Sequence, residues 1–181
     1  KCINNKIFTG FFRGFGFWEK NDFGLLEFTS IVKKKGIKMF EDEQIWEIIE
    51  LDGWVLFKSL QRIYLYNLET ESLKIIEGTN VLTKVSKVND VVYFQDLETG
   101  LFKIENGQPS LESDHDVFKK NKLTDIFYKD GKVFFLTQNM GFYFFEKNIL
   151  KNWVIPANDY LKNKTIYSSE ILSSGAIALG T

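Results

Sequence analysis

Leu82-Thr-Lys-Val-Ser-Lys-Val-Asn-Asp-Val-Val-Tyr-Phe-Gln-Asp-Leu-Glu-Thr-Gly-Leu-Phe-Lys-Ile-Glu105 is the stretch whose reading decides the fold. It reads as a strand, a tight turn at Asn89-Asp90, a β-branched and aromatic strand over Val91–Gln95, a polar turn, and a third strand opened by Gly100. The same arrangement recurs on both sides of it. Ile45, Leu82 and Leu123 each open an apolar segment, and seven residues later stand Asp52, Asn89 and Asp130. Ten or eleven residues further on begin Arg62-Ile-Tyr-Leu-Tyr-Asn67, Gly100-Leu-Phe-Lys-Ile-Glu105 and Gly141-Phe-Tyr-Phe-Phe-Glu146. A period of roughly 40 residues marks a repeat architecture.

The repeated pieces have strand chemistry. Trp54-Val-Leu-Phe-Lys58 and Val133-Phe-Phe-Leu-Thr137 are short, aromatic or β-branched, and bounded by turn residues. Asp52-Gly53, Asn89-Asp90 and Asp130-Gly131 suit tight hairpins, because Gly, Asn and Asp tolerate positive φ at low cost. No segment sustains a 3.6-residue apolar period over a helix-length window. Each repeat therefore holds four strands: 44–50, 54–58, 62–66 and 72–76 in the first; 82–88, 91–95, 100–104 and 109–112 in the second; 123–128, 132–136, 141–145 and 149–155 in the third. Four short antiparallel strands per repeat is the blade of a β-propeller. A β-sandwich leaves the regular recurrence of the turn residues unexplained.

The two ends read as incomplete repeats. Lys6-Ile-Phe-Thr-Gly10 matches Ala176-Ile-Ala-Leu-Gly180, and Gly14-Phe-Gly-Phe-Trp-Glu19 matches Gly100-Leu-Phe-Lys-Ile-Glu105. The expected organisation is an all-β propeller segment: a partial blade of strands two to four over 1–36, blades over 37–80, 81–121 and 122–164, and a partial blade of strands one and two over 165–181. Three full and two partial blades form an open arc of a larger, seven-bladed ring.

Composition sets the outer bounds. The chain of 181 residues is 44% hydrophobic and 16% aromatic, enough for a substantial core, and two prolines against eighteen phenylalanines argue against disorder. With 23 basic and 24 acidic residues, the charge balance carries no electrostatic footprint for nucleic acid or for an anionic membrane. No window approaches the ~18 consecutive apolar residues of a membrane-spanning helix. One cysteine, Cys2, excludes an internal disulfide, and one cysteine with one histidine excludes a structural zinc site. The sequence calls for no cofactor and no metal.

The blade motifs resemble the two-component-regulator propeller, the extracytoplasmic sensor of many Bacteroidetes regulators. The resemblance is carried by Ala178-Leu-Gly-Thr181, Gly100-Leu-Phe102 and Gly141-Phe-Tyr143, with Phe15-Gly-Phe-Trp-Glu19, Gly24-Leu-Leu26 and Ile45-Trp46 pointing to one subgroup. The Gly-Thr end of the second strand is replaced by Lys58-Ser59, Gln95-Asp96 and Thr137-Gln138 in the complete blades. The resemblance implies a periplasmic sensor that binds a small ligand, glycan-derived in many relatives, or helps form a homodimer. It also implies a triple-tyrosine domain, a membrane helix and an output domain further along the same protein, with no nucleic-acid contact by this segment. A protein–protein scaffold without small ligand, and a propeller lyase or glycosidase, are the alternatives.

Candidate site residues come from position. Propeller ligands meet the loops at one end of the blades, and the loops joining second to third strands lie there with the inter-blade loops. They hold Arg13, Ser59, Gln61, Arg62, Gln95, Asp96, Gln138 and Asn139. Arg13 and Arg62 are the chain's two arginines, and the guanidinium fork suits carboxylate or hydroxyl clusters. No catalytic residue is assigned. Ser113-Asp-His-Asp116 places its groups side by side on a loop, where a nucleophilic triad needs convergence from separate elements. Glu41-Asp-Glu43 and Lys33-Lys-Lys35 read as solvated loop charges, and Trp18, Trp46, Trp54 and Trp153 as packing between blades. Tyr64 and Tyr66 share one strand face and are expected against a neighbouring blade.

Overall fold

The computed structural model describes residues 1–161 and 164–181, in two compact units, Lys1–Leu82 and Thr83–Thr181. In the first unit β1 (Cys2–Ile3), β2 (Lys6–Phe11), β3 (Gly14–Lys20) and β4 (Leu26–Ser30) form one antiparallel sheet in chain order. After α1 (Ile31–Lys34), a second sheet follows from β5 (Glu47–Leu51), β6 (Trp54–Lys58), β7 (Arg62–Asn67) and β8 (Leu73–Glu77). In the second unit β9 (Leu82–Val88), β10 (Val91–Asp96), β11 (Gly100–Glu105) and β12 (Gln108–Ser113) precede α2 (Asp116–Lys120). Then come β13 (Leu123–Lys129), β14 (Lys132–Thr137), β15 (Gly141–Glu146) and β16 (Ile149–Asn152), α3 (Asn158–Leu161), and the pair β17 (Ser168–Ile171) and β18 (Ile177–Gly180).

The strand positions match the repeat, and the first sheet corrects it. A two-residue strand, Cys2–Ile3, pairs with β2 through Cys2↔Ile7 and Ile3↔Lys6, so the expected three-stranded start has four strands. Asn4 and Asn5 turn it at φ 48° and 62°, the left-handed conformation that asparagine tolerates. The last strand of the third repeat ends at Asn152, three residues before the expected 155. Among the described residues, α1, α2 and α3 span four or five residues each, too short to show a helical period in the sequence. His115 lies exposed ahead of α2 and caps it, its Nδ1 accepting from the Val117 amide at 3.1 Å.

Aromatic side chains join sheets within each unit. Phe8, Phe15 and Phe17 of the first sheet meet Phe57, Tyr64 and Tyr66 of the second, with Phe15 4.5 Å from Phe57 and 4.8 Å from Tyr64 between ring centroids. Tyr64 and Tyr66 thus pack against the neighbouring sheet as expected. In the second unit Phe118 of α2 and Phe135 of β14 meet at 5.1 Å, and Phe134 and Phe142 hold Trp153. Each buried ring contributes about 2–3 kcal/mol. Gly100 is required by the close approach of the backbone at Ser113: it adopts φ +145°, and a Cβ there would stand 2.4 Å from the Ser113 carbonyl oxygen.

The tryptophans divide. Trp153 packs on Phe134 and Phe142 of its own repeat, while Trp46 is 58% exposed and Trp18 38% exposed. Trp18 lies in cross-strand register with Ile7 and Phe28, on the face of the first sheet opposite to Phe8 and Phe17. Occupying the register of Ile104 and Phe145 is therefore insufficient for burial.

Surface charge adds a pH dependence. Glu146 sits between Lys151 and Lys132, and their hydrogen bonds and charge hold its carboxyl below its ordinary 4.5. A depressed carboxyl contributes stability above its unfolded value, and that contribution is lost as pH falls through the lower folded value. Glu146→Gln is therefore expected to lower the melting midpoint slightly at pH 7 and to be indistinguishable from the parent once pH has fallen through that range. Paired melts across pH 7 to 3 check it.

Candidate functional site

The hairpins joining second to third strands carry all eight candidate residues, and hydrogen bonds tie these tips to the segments linking one sheet to the next. In the first unit the Arg13 amide donates to the Glu43 carbonyl at 2.8 Å, and Phe12 bridges to Gln44. In the second, the Gln138 amide donates to Lys122 at 2.8 Å and its carbonyl accepts from Ile166 at 2.8 Å. Each tip is thus hydrogen-bonded to a segment that links one sheet to the next.

The candidates separate by burial. Ser59, Gln95 and Asp96 are buried. Ser59 closes its own turn, its Oγ accepting from the amides of Gln61 at 3.2 Å and Arg62 at 2.9 Å. Gln95 is fully enclosed and engaged on both ends of its amide. Its Nε2 donates to the carbonyls of Phe118 at 2.6 Å and Asn121 at 2.8 Å, while its Oε1 accepts from the Leu123 amide at 2.8 Å and from Thr83. The polar groups of these two side chains are engaged in building the tip. Arg13 and Asn139 are exposed, and Gln61 and Gln138 are half-buried.

Arg62 is drawn into a network that the sequence did not reveal. Its side chain is only 12% exposed and its guanidinium lies 3.7 Å from the Phe40 ring centre. Nη1 donates to the Lys38 carbonyl at 3.1 Å and lies 3.8 Å from Glu43, while Nη2 lies 3.3 Å from Glu77. Its fork is committed within the protein, leaving Nε buried without a partner. Glu43 is the centre. It is completely buried and accepts from Ser59 Oγ at 2.8 Å, the Tyr64 hydroxyl at 2.8 Å and the Phe40 amide at 3.0 Å. The reading of Glu41-Asp-Glu43 as a solvated run holds for Glu41 and Asp42 and fails for Glu43. Its signal was the flanking Met39 and Ile45, both buried, which fix that linking segment against the sheets. Tyr64 is likewise enclosed, and burial together with Glu43 pushes its phenol well above the ordinary 10.

A cleft opens at the tips of each unit. In the first unit, Arg13, Val32, Ile37, Lys38, Met39 and Glu41 line one of about 440 Å³. In the second, one of about 480 Å³ lies between Met140 of the β14–β15 tip and the segment carrying Val154, Ile155, Pro156, Asn158 and Asp159. Asn158 donates from Nδ2 to the Trp153 carbonyl at 3.0 Å, and its Oδ1 is buried without a partner. Among the described residues, no three His, Cys, Asp or Glu side chains converge as a metal site requires. No helix among them is long and apolar enough to cross a membrane.

No family model and no curated protein matches the chain. Solved structures do. The extracellular domain of the putative hybrid two component system BT4673 from B. thetaiotaomicron is 15% identical, with a TM-score of 0.68 over 98% of this chain. The corresponding domain of the system BT3049 from the same organism is 17% identical, with a TM-score of 0.68 over 98%. BamB from Moraxella catarrhalis is 10% identical, with a TM-score of 0.63 over the full chain and 53% of its own length. The chain spans 25% and 24% of the two B. thetaiotaomicron chains. At these identities the likeness is one of fold: an all-β propeller segment of four-stranded antiparallel blades. The two-component domains among these neighbours agree with the resemblance read from the blade motifs.

Proposed function

We propose that this chain is a non-catalytic sensor segment of a membrane-bound bacterial signal-transduction and transcriptional regulator, placed on the periplasmic side and presenting its hairpin-tip surface to a small ligand. The observation that carries this reading is the match of extracellular two-component domains over 98% of the chain. The buried network favours it over a propeller enzyme. Glu43, Tyr64 and Arg62 are the groups that acid–base chemistry on a glycan would recruit, yet the first two are completely enclosed. A phenol pushed far above neutrality is a poor base at physiological pH.

Sensing requires a ligand that binds two arrangements of the protein with different affinity. The tips suit this role because each is hydrogen-bonded to the segment leading into the next sheet. A ligand that shifts a tip therefore acts on the link between sheets, and through it on triple-tyrosine and output domains of the same protein. Deleting the gene for the intact protein tests the reading. Transcript profiles over a panel of carbon sources are expected to show a gene set whose induction by one source falls at least about five-fold on deletion. Unchanged profiles over the panel, or product release when intact protein is incubated with those glycans, would overturn it.

A further inference from the structure

We propose that the first-unit cleft binds a small ligand bearing a carboxylate, with Arg13 as its main polar contact and Lys38 as the second. This deepens the sensor reading and rests on it for its biological meaning, although the binding itself can be tested separately. The cleft's volume, about 440 Å³, falls among small-molecule sites of roughly 300–1,000 Å³. Val32, Ile37 and Met39 give it an apolar wall, and Met39 is held in place by burial.

The charges decide the ligand class. Two neighbouring cations are neutralised by the protein itself: Lys34 pairs with Glu71 at 2.6 Å, and Arg62 with Glu43 and Glu77. Among the described residues, the side chains of Arg13 and Lys38 have no ion-pair or hydrogen-bond partner. The one acid on the lining, Glu41, is exposed, and the last turn and cap of α1 add Lys33 and Lys35. Both unpaired cations rise from anchored backbone. Arg13 stands at φ +56° with its amide bonded to Glu43, and the Lys38 carbonyl accepts from Arg62. Such anchoring lowers the ordering cost of binding. The arginine fork accepts a carboxylate through two parallel hydrogen bonds, and lysine supplies a point charge beside it.

A uronic acid and a free dicarboxylate share this chemistry, so titration of the intact protein uses D-glucuronate, succinate and D-glucose in parallel, followed by calorimetry or NMR. One or both carboxylates are expected to bind, and glucose not. Arg13→Gln should raise the Kd at least about ten-fold, as loss of a charged hydrogen bond does, and Lys38→Gln a few-fold. Both positions are exposed, so the melting midpoints should not move. Preference for glucuronate would name a sugar acid, and preference for succinate a free acid. Absence of carboxylate binding up to tens of millimolar, equal binding of glucose, or a Kd indifferent to both substitutions overturns the proposal. Carboxylate binding in a protein whose deletion leaves transcription unchanged would keep the site and overturn only the sensor reading.

Discussion

Gln95→Leu is expected to cost the intact protein about 3–5 kcal/mol of unfolding free energy. Leucine keeps the volume and removes all four hydrogen bonds of the side chain. The carbonyl of Phe118 and the amide of Leu123 belong to buried residues and lose their Gln95 partner, while the more accessible Asn121 recovers a bond to water. Each buried backbone group left unpaired costs about 1–3 kcal/mol, and the loss of the Thr83 bond adds to that. Gln95→Glu should be at least as harmful, since a carboxylate would then face the two carbonyls that Nε2 now serves. Denaturant midpoints of parent and variants check this. A leucine variant within about 0.5 kcal/mol of the parent would show that the side chain does not hold the α2–β13 connection.

Glu43→Ala is the second large effect, expected at about 3–5 kcal/mol, the range for removing one partner of a buried ion pair. It takes one acceptor at once from the Tyr64 hydroxyl, Ser59 Oγ and the Phe40 amide, so that Ser59 Oγ keeps only its bonds to the Gln61 and Arg62 backbone and the Tyr64 hydroxyl its contact with Arg62 Nη1, and it leaves Arg62 with Glu77, whose side chain is 68% exposed, as its remaining ion-pair partner. Glu43→Gln retains an acceptor and the volume, so it should lose about half as much. A double-mutant cycle with Arg62→Met separates the charge pair from the hydrogen bonds. If Glu43 acts mainly as the counter-ion of Arg62, Arg62→Met should recover part of the loss; strict additivity would assign the cost to the hydroxyl and amide donors alone. The same cycle explains why Arg62 is a poor probe of ligand binding. Its removal disturbs the sheet junction before it reaches any ligand.

The strands were legible because their signal is local. Val91–Gln95 and Val133–Thr137 alternate or run apolar between turn residues, and β10 and β14 fall on them within one residue. Asp130 and Gly131 adopt φ 47° and 78°, the turn their identities predicted. What failed depended on neighbours distant in sequence. Glu43 looks like Glu41 and Asp42 until Ser59 and Tyr64 are placed around it. Trp18 shares its register with the buried Ile104, yet its side of the first sheet has no covering layer within the described residues of its unit. Cys2–Ile3 is too short to display any alternation. For the candidate site, position along the blade named eight residues of the hairpins between second and third strands. It could not separate Arg13, which is free, from Arg62, Gln95 and Ser59, whose polar groups complete the tip itself.

Every four-stranded sheet is a meander in which each strand pairs only with its neighbours in the chain. The consequence is kinetic. Hairpin closure spans few residues, so the entropic barrier to forming any one sheet is small and nearly independent of the others. Gln95 and Glu43 act later, because Gln95 joins partners 12 to 28 residues away and Glu43 joins Ser59 and Tyr64, 16 and 21 residues away. Rapid assembly of individual sheets and slower locking of their junctions are thus assigned to different residues, and the polar staples set how sharply the finished stack resists unfolding.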